Sequence, residues 1–135
     1  MADSYAIELQ VALVALLEAD AGIAALVSER IYDEPPQPVM RPYIKIGDIE
    51  PRPVRSSCGK AANVVFGIEA YSRPNSGRIE ATRCAEAVVS ALDGAALDVV
   101  GYRTVYCRWL TQTVESDGDG VGYSAIIVFE TLLDG

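Results

Sequence analysis

The stretch RIYDEPPQPVMRPYIKIGD, Arg30 to Asp48, decides how this chain is organised. Four prolines, Pro35, Pro36, Pro38 and Pro42, fall within eight residues, and an alternating run follows at once. Each proline fixes φ, lacks an N–H and pushes the residue before it toward extended backbone. The segment is therefore stiff and unfit for a ladder. A free linker, a ligand for a proline-reading module and a fixed connection inside one domain all have this composition. What flanks it separates them.

Upstream, Ser4 is a fitting N-cap for a helix over Tyr5 to Glu18. This helix carries two apolar stripes: Ile7, Val11 and Val14, and separately Leu9, Leu13, Leu16 and Leu17. A surface helix needs one stripe; a helix apolar on most sides is packed on most sides. One stripe meets the sheet and the other meets a second subunit. The periodicity does not say which, and Leu9, Leu13 and Leu16 stand as the candidates for subunit contact. Asp20 opens a shorter helical piece, AGIAALVS, and Arg30 to Tyr32 reads as a short edge strand.

Downstream, Tyr43 to Ile49 alternates, with Ile44 and Ile46 on one face and Tyr43 and Lys45 on the other. Glu50 to Ala62, EPRPVRSSCGKAA, reads as a long polar loop, and Asn63 to Tyr71 as the next strand. Asn75, Ser76 and Gly77 precede a helix over Arg78 to Leu92, whose stripe is Ala81, Cys84, Ala85, Val88 and Leu92. Tyr102 to Leu110 is a strand, ESDGDGVG is a turn, and Tyr123 to Leu133 is the closing strand. The order predicts a single α+β domain over residues 1–135. Its antiparallel β-sheet of about four to five strands packs against two α-helices. The proline segment lies between two strands of that sheet, so the fixed connection wins.

Composition narrows the function classes. Half the residues are hydrophobic and mean hydropathy is +0.20, which excludes a disordered chain. The apolar runs are broken by acids, so no membrane partner is expected, and MADSYAIELQ lacks the basic residues of a signal peptide. Net charge is −8, which disfavours tight binding of free DNA. The charge is uneven. Asp3, Glu8, Glu18, Asp20, Glu29, Asp33 and Glu34 face a single Arg30 in residues 1–34. Arg41, Lys45, Arg52, Arg55 and Lys60 crowd residues 41–60, and no basic residue follows Arg108. Solvated faces explain such charges individually; fixed contacts with further copies or stacked partners explain their segregation. Arg52, Arg55 and Lys60 in particular sit on a segment too polar for a core and are candidates for contact with a partner.

No motif carries a reaction. Histidine is absent, and with it the commonest general base. Neither a nucleophile elbow nor a phosphate-binding glycine loop is present. Cys58, Cys84 and Cys107 lack metal-site spacing and read as buried free thiols. Asp117 and Asp119 suggest a calcium loop, but the twelfth position from Asp117 is Val128, where a Glu is needed, so they read as hairpin-turn residues. No catalytic residue, cofactor or metal is expected. Tyr71, Tyr102, Tyr106 and Trp109 leave one other reading open, a small ligand-binding or regulatory α+β domain with a tyrosine-bearing sheet face.

With these elements placed, the chain resembles the tail-completion, or tail-terminator, family of long-tailed phages and phage-like gene transfer agents. The resemblance runs through LQVALVALLEADAGIAALVSERIYD (Leu9–Asp33), PYIKIGD (Pro42–Asp48) and EAYSRPNSGRIEATRCAEAVVSAL (Glu69–Leu92). It continues through LDVVGYRTVYCRW (Leu97–Trp109) and GYSAIIVFETLL (Gly122–Leu133). It implies a structural protein of the virion or virus-like particle, made in the bacterial cytoplasm and placed at the head–tail junction. Members form a ring with copies of themselves, typically six, that caps the tail-tube protein and then meets the head-completion, or stopper, protein. Such a ring lets DNA pass without specific binding. Glu115, Asp117 and Asp119 are the candidate acids for its lumen, where repulsion keeps phosphates mobile.

Overall fold

The computed structural model describes residues 4–55, 61–117 and 122–135. The elements run α1 (Tyr5–Ala19), α2 (Ala21–Val27), β1 (Ile31–Tyr32), β2 (Tyr43–Val54), β3 (Ala61–Tyr71), α3 (Gly77–Leu92), β4 (Arg103–Ser116) and β5 (Tyr123–Asp134). The sheet order is β1-β2-β3-β5-β4.

Two parts of the expected fold change. The helices number three, because the chain turns by 80° between α1 and α2. Asp20 makes that turn. Its N–H closes α1 onto the Leu17 carbonyl, and its Oδ1 accepts from the Ile23 N–H at 2.9 Å to start α2. The sheet is mixed, since β1 pairs parallel with β2 through Ile31–Ile44 and Tyr32–Lys45. A parallel neighbour obliges the chain to travel back to the same end of the sheet. The proline segment is that return path. Arg30 anchors it, donating from Nε to the Pro42 carbonyl at 2.8 Å and accepting from the Ile44 N–H at 2.9 Å. The peptide bonds before Pro38 and Pro42 are cis.

β3 is the spine. Ala62, Val64, Phe66, Ile68 and Ala70 alternate toward the helices and are buried. Their partners on β5, from Ala125 to Leu133, do the same, and Phe66 stacks on Phe129 with centroids 5.4 Å apart. Over this apolar sheet lie Leu9, Leu13 and Leu17 of α1, Ile23 and Val27 of α2, and the Ala81–Leu92 stripe of α3. Full burial of one such leucine is worth about 1.5–3 kcal/mol. Asp93 and Gly94 end α3: Gly94 adopts φ +77°, a conformation suited to glycine, and Asp93 Oδ1 accepts from the Trp109 N–H of β4.

Of the expected loop from Glu50 to Ala62, the described residues are largely sheet. Glu50 pairs with Val65, Arg52 with Asn63 and Val54 with Ala61, so β2 and β3 form a long hairpin arm. Pro51 and Pro53 are tolerated because β1 is only two residues long, and farther along β2 the outer edge carries no partner strand among the described residues. β4 likewise outruns its expected end at Leu110. A bulge between Trp109 and Thr111 reverses the side-chain alternation, and the strand continues to Ser116.

Candidate assembly surfaces

α1 presents one stripe to the core and one to the outside, but the two are exchanged relative to the sequence candidates. Leu9 and Leu13 are fully buried and Leu16 is half-buried, packed against the core. A side chain sealed under its own subunit cannot reach a neighbour, which removes Leu9 and Leu13 from any interface. The outward stripe is Ile7, 64% exposed, with Val11 at 59% and Val14 beside them. These line an open groove of about 630 Å³ that also includes Glu18 and Asp33. Neither acid makes an ion pair among the described residues.

A second concavity, about 660 Å³, lies between α2, the proline segment and the start of α3. Arg30, Arg41, Arg73 and Arg83 line it against one acid, Glu80, and Met40 and Ile79 stand exposed in it at 69% and 65%. Burial alone would raise the Glu80 carboxyl. Side-chain and backbone hydrogen bonds from Arg73 outweigh that and leave it lowered. Arg83 makes no ion pair among the described residues. Sequence reading missed this surface, although Ile79 carried a signal: it is apolar, yet out of phase with the Ala81–Leu92 stripe of its helix.

The sheet face opposite the helices is polar along β4 and mixed elsewhere. Glu130 on β5 accepts from Arg108 Nε at 2.8 Å and from Asn63 Nδ2 at 3.2 Å, while the Tyr106 hydroxyl donates to Asn63 Oδ1 at 3.0 Å. At the other end Tyr71 donates to Glu69 at 2.6 Å. Burial, and then this carboxylate, push the Tyr71 phenol well above its usual range. Between the two ends is a shallow recess of about 230 Å³, floored by Val65, Gly67 and Val128 and edged by Asp48, Glu50 and Glu69.

The four aromatics of the ligand-groove reading do not converge. Tyr71 stacks on Tyr43, and Tyr106 stands eight positions away along β5, about 26 Å at strand rise. Tyr102 packs on Tyr5 of α1, and Trp109 takes the helix-side phase of the β4 edge. Among the described residues no group of three His, Cys, Asp or Glu side chains is arranged to hold a metal ion. Nor is any single helix among them long and apolar enough to cross a membrane.

Of the basic candidates, Arg52 and Arg55 are exposed at the outer end of the β2–β3 arm, Arg52 bonded to Glu50 at 2.7 Å. That bond and its charge hold the Glu50 carboxyl below its usual range. Lys60 lies outside the described residues. Of the acids, Glu115 is exposed on β4, Asp119 lies outside the described residues, and Asp117 is engaged by Arg41 at 2.7 Å.

The family model described as tail completion protein gp17 matches residues 11–134. A solved structure of the virion of a native gene transfer agent particle contains a chain that is 30% identical, with a TM-score of 0.89 over 98% of this chain and 100% of that one. The structure of the bacteriophage SPP1 gp17 protein is 27% identical, with a TM-score of 0.64 over 93% of this chain and 88% of that one. Curated protein sequences give no match.

Proposed function

This chain belongs to the tail completion protein gp17 family, and from that premise we propose that it is a non-enzymatic ring subunit at the head–tail junction. In this reading six copies cap the finished tail tube and then join it to the head. The observation that carries the proposal is the end-to-end likeness to a chain of an assembled gene transfer agent particle.

Local features support a ring. The outer stripe of α1 is apolar and uncovered in one subunit, and its charged groups are segregated by region. The outer half of β2 carries Arg52 and Arg55 exposed along the open edge of the sheet, where they reach a ring neighbour, the tail-tube protein or the head-completion protein. Net charge −8 suits a passage for DNA, because an acidic wall holds no phosphates. Glu115 serves there as an exposed acid. Asp117 contributes less, since Arg41 offsets its charge.

The test is to mix purified protein with tail tubes assembled from the tube protein and image them by electron microscopy. A cap of density on tube ends, with a bound mass near six times 14.4 kDa, is the expected result. Tubes that stay bare at both ends count against the proposal.

A further inference from the structure

We infer that copies of this chain join head to tail, the outer face of α1 on one copy seating in the arginine-lined cleft of the next. The inference rests on the ring reading and specifies its contact. Each surface combines exposed apolar side chains with charged ones, and the prevailing signs are opposite. At α1 these are Ile7 and Val11 with Glu18, joined by Asp33 from just after β1. In the cleft they are Met40 and Ile79 with Arg73 and Arg83.

The charges themselves argue for an absent partner. Glu18, Asp33 and Arg83 make no ion pair within the subunit among the described residues, although the other cleft cations are engaged. Arg73 bonds Glu80, Arg41 bonds Asp117, and Arg30 holds the Pro42 carbonyl. Exposed apolar side chains beside unpaired charges, Glu18 and Asp33 on one surface and Arg83 on the other, mark surfaces that are covered elsewhere. The exposed stripe from Ile7 to Glu18 runs about 16 Å along α1 at helical rise.

A second copy is the occupant because one chain carries both halves, in equal number by construction. The two surfaces share no residue, so a contact that uses both is heterologous, the kind that closes into a ring when the rotation permits. A self-complementary pairing of α1 with α1 would offer Glu18 and Asp33 no basic partner, because neither α1 nor the groove beside it carries a Lys or Arg.

Native mass spectrometry of the full chain tests this with Val11→Glu and Ile79→Glu. Both side chains are largely exposed, so melting temperatures within a few degrees of the unsubstituted protein verify folding. The unsubstituted protein should assemble and each variant should remain monomeric. An equal mixture of the two should stop at one-to-one pairs, because one intact α1 face meets one intact cleft and the remaining surfaces are spoiled. If either variant assembles like the unsubstituted protein, this contact is wrong while the ring reading stands. Full rings from the mixture would also refute the head-to-tail pairing. An unsubstituted protein that stays monomeric, alone and on tail tubes, would overturn the ring reading and this contact with it.

Discussion

Arg41 Nη2 lies 2.7 Å from Asp117 Oδ2, tying the end of the proline crossover to the end of β4. The same guanidinium donates from Nη1 to the Ser72 carbonyl at 3.2 Å and lies over the rings of Tyr43 and Tyr71. Ser72 is itself fully buried and exchanges hydrogen bonds with Tyr123, so one arginine fastens three segments at one corner.

Both partners of this pair are about one-fifth exposed, between a solvated ion pair and a buried one. Arg41→Ala should cost about 1–3 kcal/mol, because it leaves Asp117 and the Ser72 carbonyl short of a partner. Asp117→Asn should cost less, since the other Arg41 contacts survive. Urea unfolding of the two variants checks the order. Equal midpoints for Arg41→Ala and the unsubstituted protein would show that the corner is not held this way.

The two faces of α1 predict opposite behaviour. Leu13→Ala removes a fully buried side chain from the seam between α1 and the sheet and should destabilise by about 2–5 kcal/mol. Leu13→Glu should abolish folding, as an unpaired charge in that seam has no compensation. Circular dichroism melts decide the matter. A folded Leu13→Glu protein that merely fails to assemble would restore the leucines to an interface.

Which stripe turned inward was not legible, and the reason is physical. Ile7, Val11 and Val14 are as apolar as Leu9, Leu13 and Leu17, so periodicity locates two faces without ranking them. Strong alternation made β3 and β5 readable, and the Ala81–Leu92 stripe with its Asp93–Gly94 stop made α3 readable. The far half of β4 was hidden by the bulge at Trp109–Thr111, which breaks the period on which strand reading depends. The outer half of β2 was hidden by Pro51 and Pro53, which signal a loop unless an open edge is known to exist. A parallel β1 could not be read from two residues, because strand direction leaves no mark on composition. The arginine cleft is assembled from three segments distant in sequence, and only the out-of-phase Ile79 hinted at it.

The β2–β3 arm should work through charge. Arg52→Gln with Arg55→Gln should weaken docking to tail tubes and flatten its dependence on salt, since both side chains are exposed and their attraction is screened within about 10 Å at 0.1 M. Folding should be unchanged, because the Arg52–Glu50 bond is solvated. Co-sedimentation with tubes across a salt series measures the slope. An unaltered slope would leave the arm without a partner.

Cys84 and Cys107 should be inert in the folded protein. Burial pushes their thiols up to about 11 and about 12, with Glu80 and Asp93 adding to the shift, so almost no thiolate is present near pH 8. Labelling with a thiol reagent, mapped by peptide mass, should leave both unmodified until denaturant is added. Rapid modification of either in native protein would mean that the core under α3 opens readily.

The most direct measurement of the central claim is electron microscopy of particles from producing cells that lack this chain. The account predicts unjoined heads and tails, with tails uncapped and irregular in length, and restoration by the intact chain but not by Val11→Glu. Normal particles of uniform tail length, with heads attached in the absence of the chain, would contradict it.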